Sequence, residues 1–227
     1  MTEEASGTII YLNGTSSAGK TTIAAALQLA LPAPYLLVGL DNFSQWLPTR
    51  YVAVQSLDLP IPSLAREGLA FRSARHNDTL TLEITLGPAG RRYMRGFRQM
   101  IRALALAGNN VIVDDVLYDP AFLSECVSIL AGLPICFVGV VCDPVETARR
   151  ERARGDRLIG QAAWQAPRIH VGAEYDLVVD TTHTTPEVCA GQIAALVNNL
   201  PRLNAFERMY QSLAHGDDTS SRLTKEQ

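Results

Sequence analysis

Residues 8–21 read TIIYLNGTSSAGKT, and the rest of the chain is organised around this stretch. The apolar residues 9–12 are typical of a buried strand. The loop that follows fits the pattern G-x-x-x-x-G-K-[ST]. Beyond it, apolar residues recur at about one-turn spacing until Pro32 ends the pattern, which predicts a helix. A strand, a glycine-bounded loop and a helix in this order predict a phosphate-binding loop.

The residue types of this loop explain the chemistry that we expect of it. Glycines let the backbone turn tightly and present several N–H groups to one anion, and the following helix directs its positive end to the same point. We expect Lys20 to reach the β- and γ-phosphates of a nucleotide and the Thr21 hydroxyl to bind Mg²⁺. The alternative is a chance glycine-lysine turn. The predicted nucleotide-binding residues are Gly14, Thr15, Ser16, Ser17, Ala18, Gly19, Lys20, Thr21 and Thr22.

The composition of the chain limits its class. With 227 residues, of which 47% are hydrophobic, the chain is long enough for one sizeable domain and short for two. The formal net charge of -3 argues against a dedicated nucleic-acid-binding protein, and no apolar run approaches the length of a membrane span. The acidic N-terminus, and four cysteines without metal-site spacing, favour a cytoplasmic protein with reduced thiols. We therefore expect no membrane or nucleic-acid partner, and we leave self-association open.

A second apolar run, over residues 35–40, ends at Asp41. Because ligands of open parallel sheets lie beyond the carboxyl ends of the strands, this carboxylate is placed to meet an acceptor substrate. The other interpretation is that Asp41 is only the N-cap of a helix over residues 43–47. The two roles are compatible, and the residue pattern does not choose between them.

The least regular part of the chain lies at about residues 45–92. Residues 80–86 alternate between apolar and polar side chains, which predicts a strand, and residues 69–71 are a candidate partner in a hairpin. We interpret this insertion as an acceptor-binding cap, in which Trp46 and Phe71 are candidate contacts. A solvent-exposed decoration is the alternative.

The third predicted core strand, over residues 111–115, follows a helix at residues 91–106 and ends in two aspartates. An apolar strand that ends in aspartate suits the second carboxylate of a phosphate-loop site, which holds Mg²⁺ directly or through water. Side chains alternate along a strand, so the two carboxylates cannot point the same way. We assign Asp114 to the metal and Asp115 to the acceptor; the alternative is a polar turn after the strand.

Two more core strands are predicted, over residues 135–141 and 176–180. The helix after the fourth strand begins at Asp143-Pro144, with Glu146 in the capping-box position, and is rich in arginine. Such a cluster is usually a solvated helix face. In a phosphate-loop fold, however, a mobile lid closes on the nucleotide here, and guanidinium groups bind phosphate oxygens bidentately. We interpret residues 149–170 as a lid with Arg149, Arg150, Arg152, Arg154 and Arg157.

The C-terminal part of the pattern adds a loop, a core helix and a tail. The loop at residues 181–184 is placed to pass over the nucleotide base. We expect His170 and His183 to be structural or solvent-exposed, because neither has a partner pattern. A short amphipathic helix is predicted at residues 204–215, and the polar residues 216–227 are typical of a disordered tail.

Five apolar strands that alternate with helices predict an α/β fold of the doubly wound, P-loop kinase-like type, with a five-stranded parallel sheet covered on both faces. We expect one domain over residues 1–215, with the insertion after the second strand and the arginine-rich lid. The small size, the lid and the lack of an N-K-x-D segment favour a kinase. In the predicted reaction ATP and Mg²⁺ bind at the loop and Asp41 is the general base. Lys20 and the lid arginines stabilise the transferred phosphoryl group.

Seven blocks carry a resemblance to a known family: LNGTSSAGK at 12–20, VGLD at 38–41, IVDDV at 112–116, VGVVCD at 138–143, ARGDR at 153–157, EYD at 174–176 and VDTTH at 179–183. In this order they resemble the chloramphenicol 3-O-phosphotransferases, along most of the chain to about residue 200. The resemblance implies ATP-dependent transfer to a hydroxyl group, with Asp41 as the base and with Arg154 and Arg157 in the active site.

The region between Asp41 and Gly90 shows little of this resemblance, so the acceptor stays open between chloramphenicol, another hydroxylated antibiotic and a small metabolite. Two further alternatives remain. A nucleotide or sugar-nucleotide kinase would need a strongly basic acceptor pocket, and a nucleotide-binding regulatory protein would lack an acceptor pocket beside Asp41. The sequence does not by itself choose between ATP and GTP.

Overall fold

A computed structural model describes residues 5–76, 79–155, 159–199 and 204–223. A 3₁₀ turn at Thr49–Tyr51 precedes the third strand. The strands are β1 (Ile9–Asn13), β2 (Tyr35–Gly39), β3 (Val52–Ser56), β4 (Leu69–His76), β5 (Thr79–Leu86), β6 (Asn110–Asp115), β7 (Ile135–Val141) and β8 (Leu177–Asp180). The helices are α1 (Lys20–Ala30), α2 (Leu40–Ser44), α3 (Ser63–Glu67), α4 (Pro88–Leu106), α5 (Pro120–Leu130), α6 (Pro144–Arg154), α7 (Gln161–Gln165), α8 (Pro186–Val197) and α9 (Ala205–Leu223).

The main sheet has five strands in the order β2-β6-β1-β7-β8, and every pair in it is parallel. These are the five core strands that the apolar runs predict, so the predicted doubly wound α/β fold is confirmed. In the central strand, Leu12 lies opposite Asp114 of β6 on one side and opposite Val138 of β7 on the other. The carboxyl ends of β1 and β6 therefore lie next to each other, and the phosphate loop begins there.

Alternating residues of the central strands bury both faces of the sheet. Ile9 and Tyr11 pack with side chains of α4, α5 and α9 on one face. Ile10 and Leu12 pack with side chains of α1 and α8 on the other. All four are fully buried, as a parallel sheet between two helical layers requires. The loop that follows β1 is thus held on a rigid base.

The insertion forms a separate three-stranded sheet in the order β3-β4-β5. The hairpin of β4 and β5 is antiparallel and confirms the sequence prediction. The strand β3, which pairs parallel with β4, was not predicted because it has only five residues and lacks a clear alternating pattern. A small core at Ala53, Ala65 and Ala70 holds the sheet against α3.

Three local predictions differ from the structure. Helix α2 begins at Leu40 with Gly39 at its N-cap, so Asp41 lies in the first turn and does not cap the helix. Asp143 caps α6, but Glu146 does not close a capping box, because the Asp143 N–H donates to the Thr182 hydroxyl. Helix α9 continues to Leu223, beyond the predicted end at residue 215.

The cysteines agree with the sequence prediction. Cys126, Cys136, Cys142 and Cys189 are free, and all but Cys142 are buried. Burial raises the pKa of Cys126 and that of Cys136 to about 12, so these two thiols stay protonated. Among the described helices, none is long and apolar enough to cross a membrane.

Candidate active site

In the phosphate loop between β1 and α1, the backbone adopts conformations and contacts that require glycine. Gly19 has a φ of 95° and Ser17 a φ of 61°, so two residues of the loop are left-handed. A side chain at Gly14 would lie 2.3 Å from the Val140 carbonyl oxygen, so this position must approach β7 without a Cβ. The hydroxyl groups of Ser16 and Ser17 are buried and have no hydrogen-bond partner in the described part of the chain. The loop thus holds unpaired polar atoms where a phosphate would bind.

Lys20 and Thr21 begin α1 and meet Asp114 from β6. The Lys20 ammonium group donates to the carbonyl oxygens of Gly14 and Thr15, at 2.9 Å each, and lies 3.6 Å from Asp114 Oδ1. The Thr21 hydroxyl donates to Asp114 Oδ2 at 2.6 Å. Asp114 therefore points to the phosphate loop, on the side where the sequence places it.

The donor set at this point suits a magnesium ion. A hydroxyl and a carboxylate are the hard oxygen ligands that Mg²⁺ prefers, usually together with water and substrate phosphates. Among the described residues, no group of three or more His, Cys, Asp or Glu side chains could hold a metal. A metal bound by Thr21 and Asp114 would therefore complete its coordination with oxygens of the nucleotide and water.

Asp115 points away from this site, which corrects the prediction that it faces the acceptor. Its side chain is 1% exposed, and its carboxylate accepts hydrogen bonds from the Tyr11 hydroxyl and from the Val116 N–H. Burial raises the pKa of Tyr11 well above its usual value, and the charge of Asp115 adds to this shift. Asp115 thus belongs to the opposite helical layer, because side chains alternate along β6.

One cavity of about 590 Å³ brings most of the predicted site residues together. Asp41 is exposed in the first turn of α2 and lines this cavity. Gly14, Thr15 and Ala18 do not line it, although Thr15 lines a second cavity behind the loop. The predicted residues in the lining are Ser16, Ser17, Gly19, Lys20, Thr21, Thr22, Asp41, Asp114 and Arg154.

The predicted lid corresponds to α6 and α7, and its arginines divide into two groups. Arg149 is 65% exposed and pairs with Glu146 at 2.7 Å, outside the cavity. Arg150 also pairs with Glu146, at 2.8 Å, and donates to the Thr181 carbonyl at 2.7 Å. These hydrogen bonds from Arg149 and Arg150 lower the pKa of Glu146 to about 2. Arg150 and Arg154 line the cavity.

Arg157, which the sequence places in the active site, lies outside the described residues. Trp46 and Phe71, the acceptor contacts that the sequence predicts near the insertion, do not line the cavity. Trp46 is 69% exposed and packs on Phe43, with ring centroids 4.8 Å apart. Phe71 is half-buried within the insertion sheet, opposite Ile84. The structure therefore does not support Trp46 or Phe71 as acceptor contacts.

The sequence analysis did not identify several polar residues that line the cavity. Asn42 and Gln45 follow Asp41 on or just after α2, and Gln161 and Gln165 lie one turn apart on α7. Residues that are three or four positions apart lie on one face of a helix. This spacing could have indicated a shared polar face in the sequence. Thr181 and Thr184, from the loop that the sequence places near the nucleotide, also line the cavity.

Asn13, the last residue of β1, is another residue that the sequence analysis did not assign to the site. It is fully buried, and its amide nitrogen donates to the Ile169 carbonyl at 3.0 Å and to the Tyr175 hydroxyl at 2.8 Å. Its amide oxygen accepts from the Leu117 N–H at 2.9 Å. Asn13 therefore joins the start of the phosphate loop to the segments that follow β6 and α7.

Comparison with known proteins decides the family. A family model described as "CPT: Chloramphenicol phosphotransferase-like protein" matches residues 7–198. The chain belongs to the chloramphenicol phosphotransferase-like family. This finding confirms the resemblance found in the sequence. The chain is therefore a phosphotransferase.

Relatives of this chloramphenicol phosphotransferase-like protein support the assignment. Two Mycobacterium tuberculosis proteins, from strains CDC 1551 / Oshkosh and ATCC 25618 / H37Rv, each bear the name "Putative O-phosphotransferase". Each is 34% identical over 204 residues, which cover 89% of this chain and 88% of the relative.

Solved structures with the same fold include two proteins of low sequence identity. The Mycobacterium tuberculosis APS kinase CysC, in complex with AMPPNP and APS, matches with a TM-score of 0.57 at 15% identity, over 86% of this chain and 99% of that chain. The Deinococcus radiodurans tunicamycin resistance protein matches with a TM-score of 0.55 at 18% identity, over 84% of this chain and 95% of that chain. At these identities the likeness shows the P-loop kinase fold alone.

Proposed function

We propose that this phosphotransferase transfers the γ-phosphoryl group of ATP, with Mg²⁺, to a hydroxyl group of an uncharged small molecule. The observation that carries the proposal is that Lys20, Thr21, Asp114 and Asp41 line one cavity. A phosphate loop, a pair of candidate metal ligands and a candidate base then share one cavity. Phosphoryl transfer needs this arrangement because positioning and charge stabilisation supply most of its catalysis.

The nucleotide occupies the end of the cavity at the phosphate loop. Lys20 and the loop N–H groups bind phosphate oxygens, and Arg150 and Arg154 of α6 add guanidinium groups from the lid. Thr21 and Asp114 would hold a magnesium ion, which would neutralise negative charge on the phosphates.

The acceptor occupies the end of the cavity at α2. Here Asp41 lies with the neutral amide side chains of Asn42 and Gln45. Amides both donate and accept hydrogen bonds, so they suit an uncharged acceptor with hydroxyl or amide groups. A nucleotide acceptor is itself an anion and would need cations at this end, so this lining disfavours a nucleotide kinase.

The reaction is an in-line displacement in which Asp41 is the general base. The Asp41 carboxylate takes the proton of the acceptor hydroxyl as its oxygen bonds to the γ-phosphorus. The bond from the γ-phosphorus to the bridging oxygen breaks, and ADP leaves with the electron pair. Lys20 and the lid arginines stabilise the charge on the transferred group.

Within this reaction class, a hydroxylated antibiotic is the acceptor that the family name favours, with chloramphenicol as the first compound to offer. Phosphorylation of such a compound would inactivate it and give resistance. The acceptor side of the cavity is built partly by residues of α2, directly before the insertion, so the insertion is the part of the chain that would adapt the site to another acceptor.

The proposal is tested with purified protein, ATP and Mg²⁺ against a panel of hydroxylated antibiotics, sugars and nucleotides. Mass spectrometry detects an acceptor that has gained one phosphoryl group. We expect one uncharged hydroxylated compound to be phosphorylated, and we expect no product with Lys20→Ala or when EDTA removes the metal. A phosphorylated nucleotide would overturn the uncharged-acceptor proposal, and transfer by Lys20→Ala would overturn the assignment of the phosphate loop.

A further inference from the structure

Gln165, the last residue of α7, contacts the phosphate loop directly. Its side-chain oxygen accepts a hydrogen bond from the backbone N–H of Ser16 at 2.7 Å, although the two residues are 149 positions apart in the chain. The Gln165 side chain is 3% exposed, and the residue lines the cavity that holds Lys20 and Asp41. The lid helix α7 therefore places one amide group beside the loop.

The Ser16 contact fixes which end of the amide faces the loop. A backbone N–H is a donor, so the atom that meets it must be the amide oxygen, and the amide nitrogen of Gln165 takes the other direction. In the described part of the chain this nitrogen has no hydrogen-bond partner. An amide with its oxygen anchored and its two N–H donors without a protein partner, in the wall of the cavity, is suited to donate to a bound anion.

The position of α7 is fixed at both of its ends. The buried Glu151 carboxylate of α6 accepts from the N–H groups of Gly160 and Ala162, at 2.6 and 3.0 Å. Beyond α7, the Ile169 carbonyl accepts from the Asn13 side chain at the start of the loop. Hydrogen bonds on both sides of α7 thus set the position of Gln165.

We propose that Gln165 is a phosphate-binding residue that donates from its amide nitrogen to the terminal phosphate of the bound nucleoside triphosphate. This inference rests on the proposed function and adds a neutral donor to the charged groups of Lys20 and the lid arginines. A neutral donor beside the transferred group can bind its oxygens without pairing with Asp114 when the nucleotide is absent. The distinguishing property is a preference for triphosphate over diphosphate.

The test compares the affinity of the full chain for a non-hydrolysable ATP analogue and for ADP, both with Mg²⁺, by calorimetry. Gln165→Glu keeps an acceptor for the Ser16 N–H and replaces the amide donor with a negative charge. Gln165→Met removes both hydrogen-bonding ends at similar length. Gln99→Glu makes the same charge change at an exposed position of α4 and is the matched control.

We expect both Gln165 variants to lower the ratio of triphosphate to diphosphate affinity by about 10-fold or more, as loss of a hydrogen bond to a charged group predicts. We expect Gln99→Glu to leave the ratio unchanged. An unchanged ratio in Gln165→Met would overturn the inference, even if Gln165→Glu lowers it, because charge repulsion alone would explain that result. Wild-type protein that binds neither nucleotide would overturn the proposed function instead.

Discussion

The position of Asp41 follows from the end of β2 and the start of α2. It follows β2 directly and lies in the first turn of α2, where its side chain is exposed in the cavity. Its own carbonyl oxygen accepts from the Ser44 hydroxyl at 2.6 Å, which fixes the short helix locally. The Asp41 carboxylate thus lines the cavity without capping the helix, as the proposed role of a base requires.

Asp41→Asn tests this role at the residue scale. We expect the rate of transfer to the acceptor found in the panel to fall about 100- to 10,000-fold, because an amide cannot take the hydroxyl proton. Nucleotide affinity should stay nearly unchanged, because Asp41 lies at the proposed acceptor end of the cavity. Steady-state kinetics and calorimetry measure the two quantities. Asp119→Asn, at the N-cap of α5, is the control, since asparagine caps a helix as well as aspartate does. Full transfer by Asp41→Asn would refute the base assignment.

At the scale of elements, the junction of α6 and α7 depends on Glu151. This carboxylate is 2% exposed and satisfies two backbone N–H groups at the start of α7. The same helix α6 carries Arg150 and Arg154 into the cavity, and α7 carries Gln161 and Gln165. One buried hydrogen-bonded carboxylate therefore joins the cationic and the neutral parts of the lid.

Glu151→Ala leaves two buried N–H groups without acceptors. We expect the free energy of unfolding to fall by about 2 kcal/mol or more, as such groups cost about 1 to 3 kcal/mol each. Denaturant unfolding measures this loss, and hydrogen exchange should become faster at Gly160 and Ala162. Arg152→Ala, at the exposed neighbouring position, should change stability by less than about 0.5 kcal/mol. Equal effects of the two variants would contradict the bridging role of Glu151.

At the scale of the whole molecule, the insertion sheet and the lid are in contact. Gly160 has a φ of 98°, and a Cβ at this position would lie 2.8 Å from the Leu80 Cβ of β5. The insertion therefore packs on the start of α7, which is the helix that reaches the phosphate loop through Gln165. The insertion that follows Asp41 and the segment that contacts the phosphate loop therefore share one interface.

Gly160→Ala tests this interface, with Gly132→Ala as the matched control. Both glycines are left-handed, but a Cβ at Gly132 meets nothing within 4 Å. The two variants share the backbone strain, so the difference between them measures the contact with Leu80. We expect Gly160→Ala to be less stable than the control by at least about 1 kcal/mol, the typical cost of overpacking, and to transfer phosphate more slowly. Equal loss of stability in both variants would show that the contact is dispensable.

The local patterns of the sequence determined the fold and the part of the site that is formed by the phosphate loop and Asp114. Hydrophobic periodicity and turn residues act over a few neighbours, so the five core strands, the hairpin and the phosphate loop could all be predicted. Strand alternation also separated Asp114 from Asp115, and the structure places Asp114 on the loop side. Periodicity could not show that Asp115 meets Tyr11 in the opposite layer, because that layer is built by helices distant in sequence.

Only the tertiary structure decided which side chains complete the cavity. Trp46 has the aromatic character of a ligand contact, yet it lies outside on Phe43, whereas the plainer residues Asn42 and Gln45 line the wall. Gln165 reaches Ser16 across 149 positions because α6, α7 and the sheet pack together. No local pattern encodes that meeting, since the packing of distant elements, and not the spacing of neighbours, brings the two residues into contact.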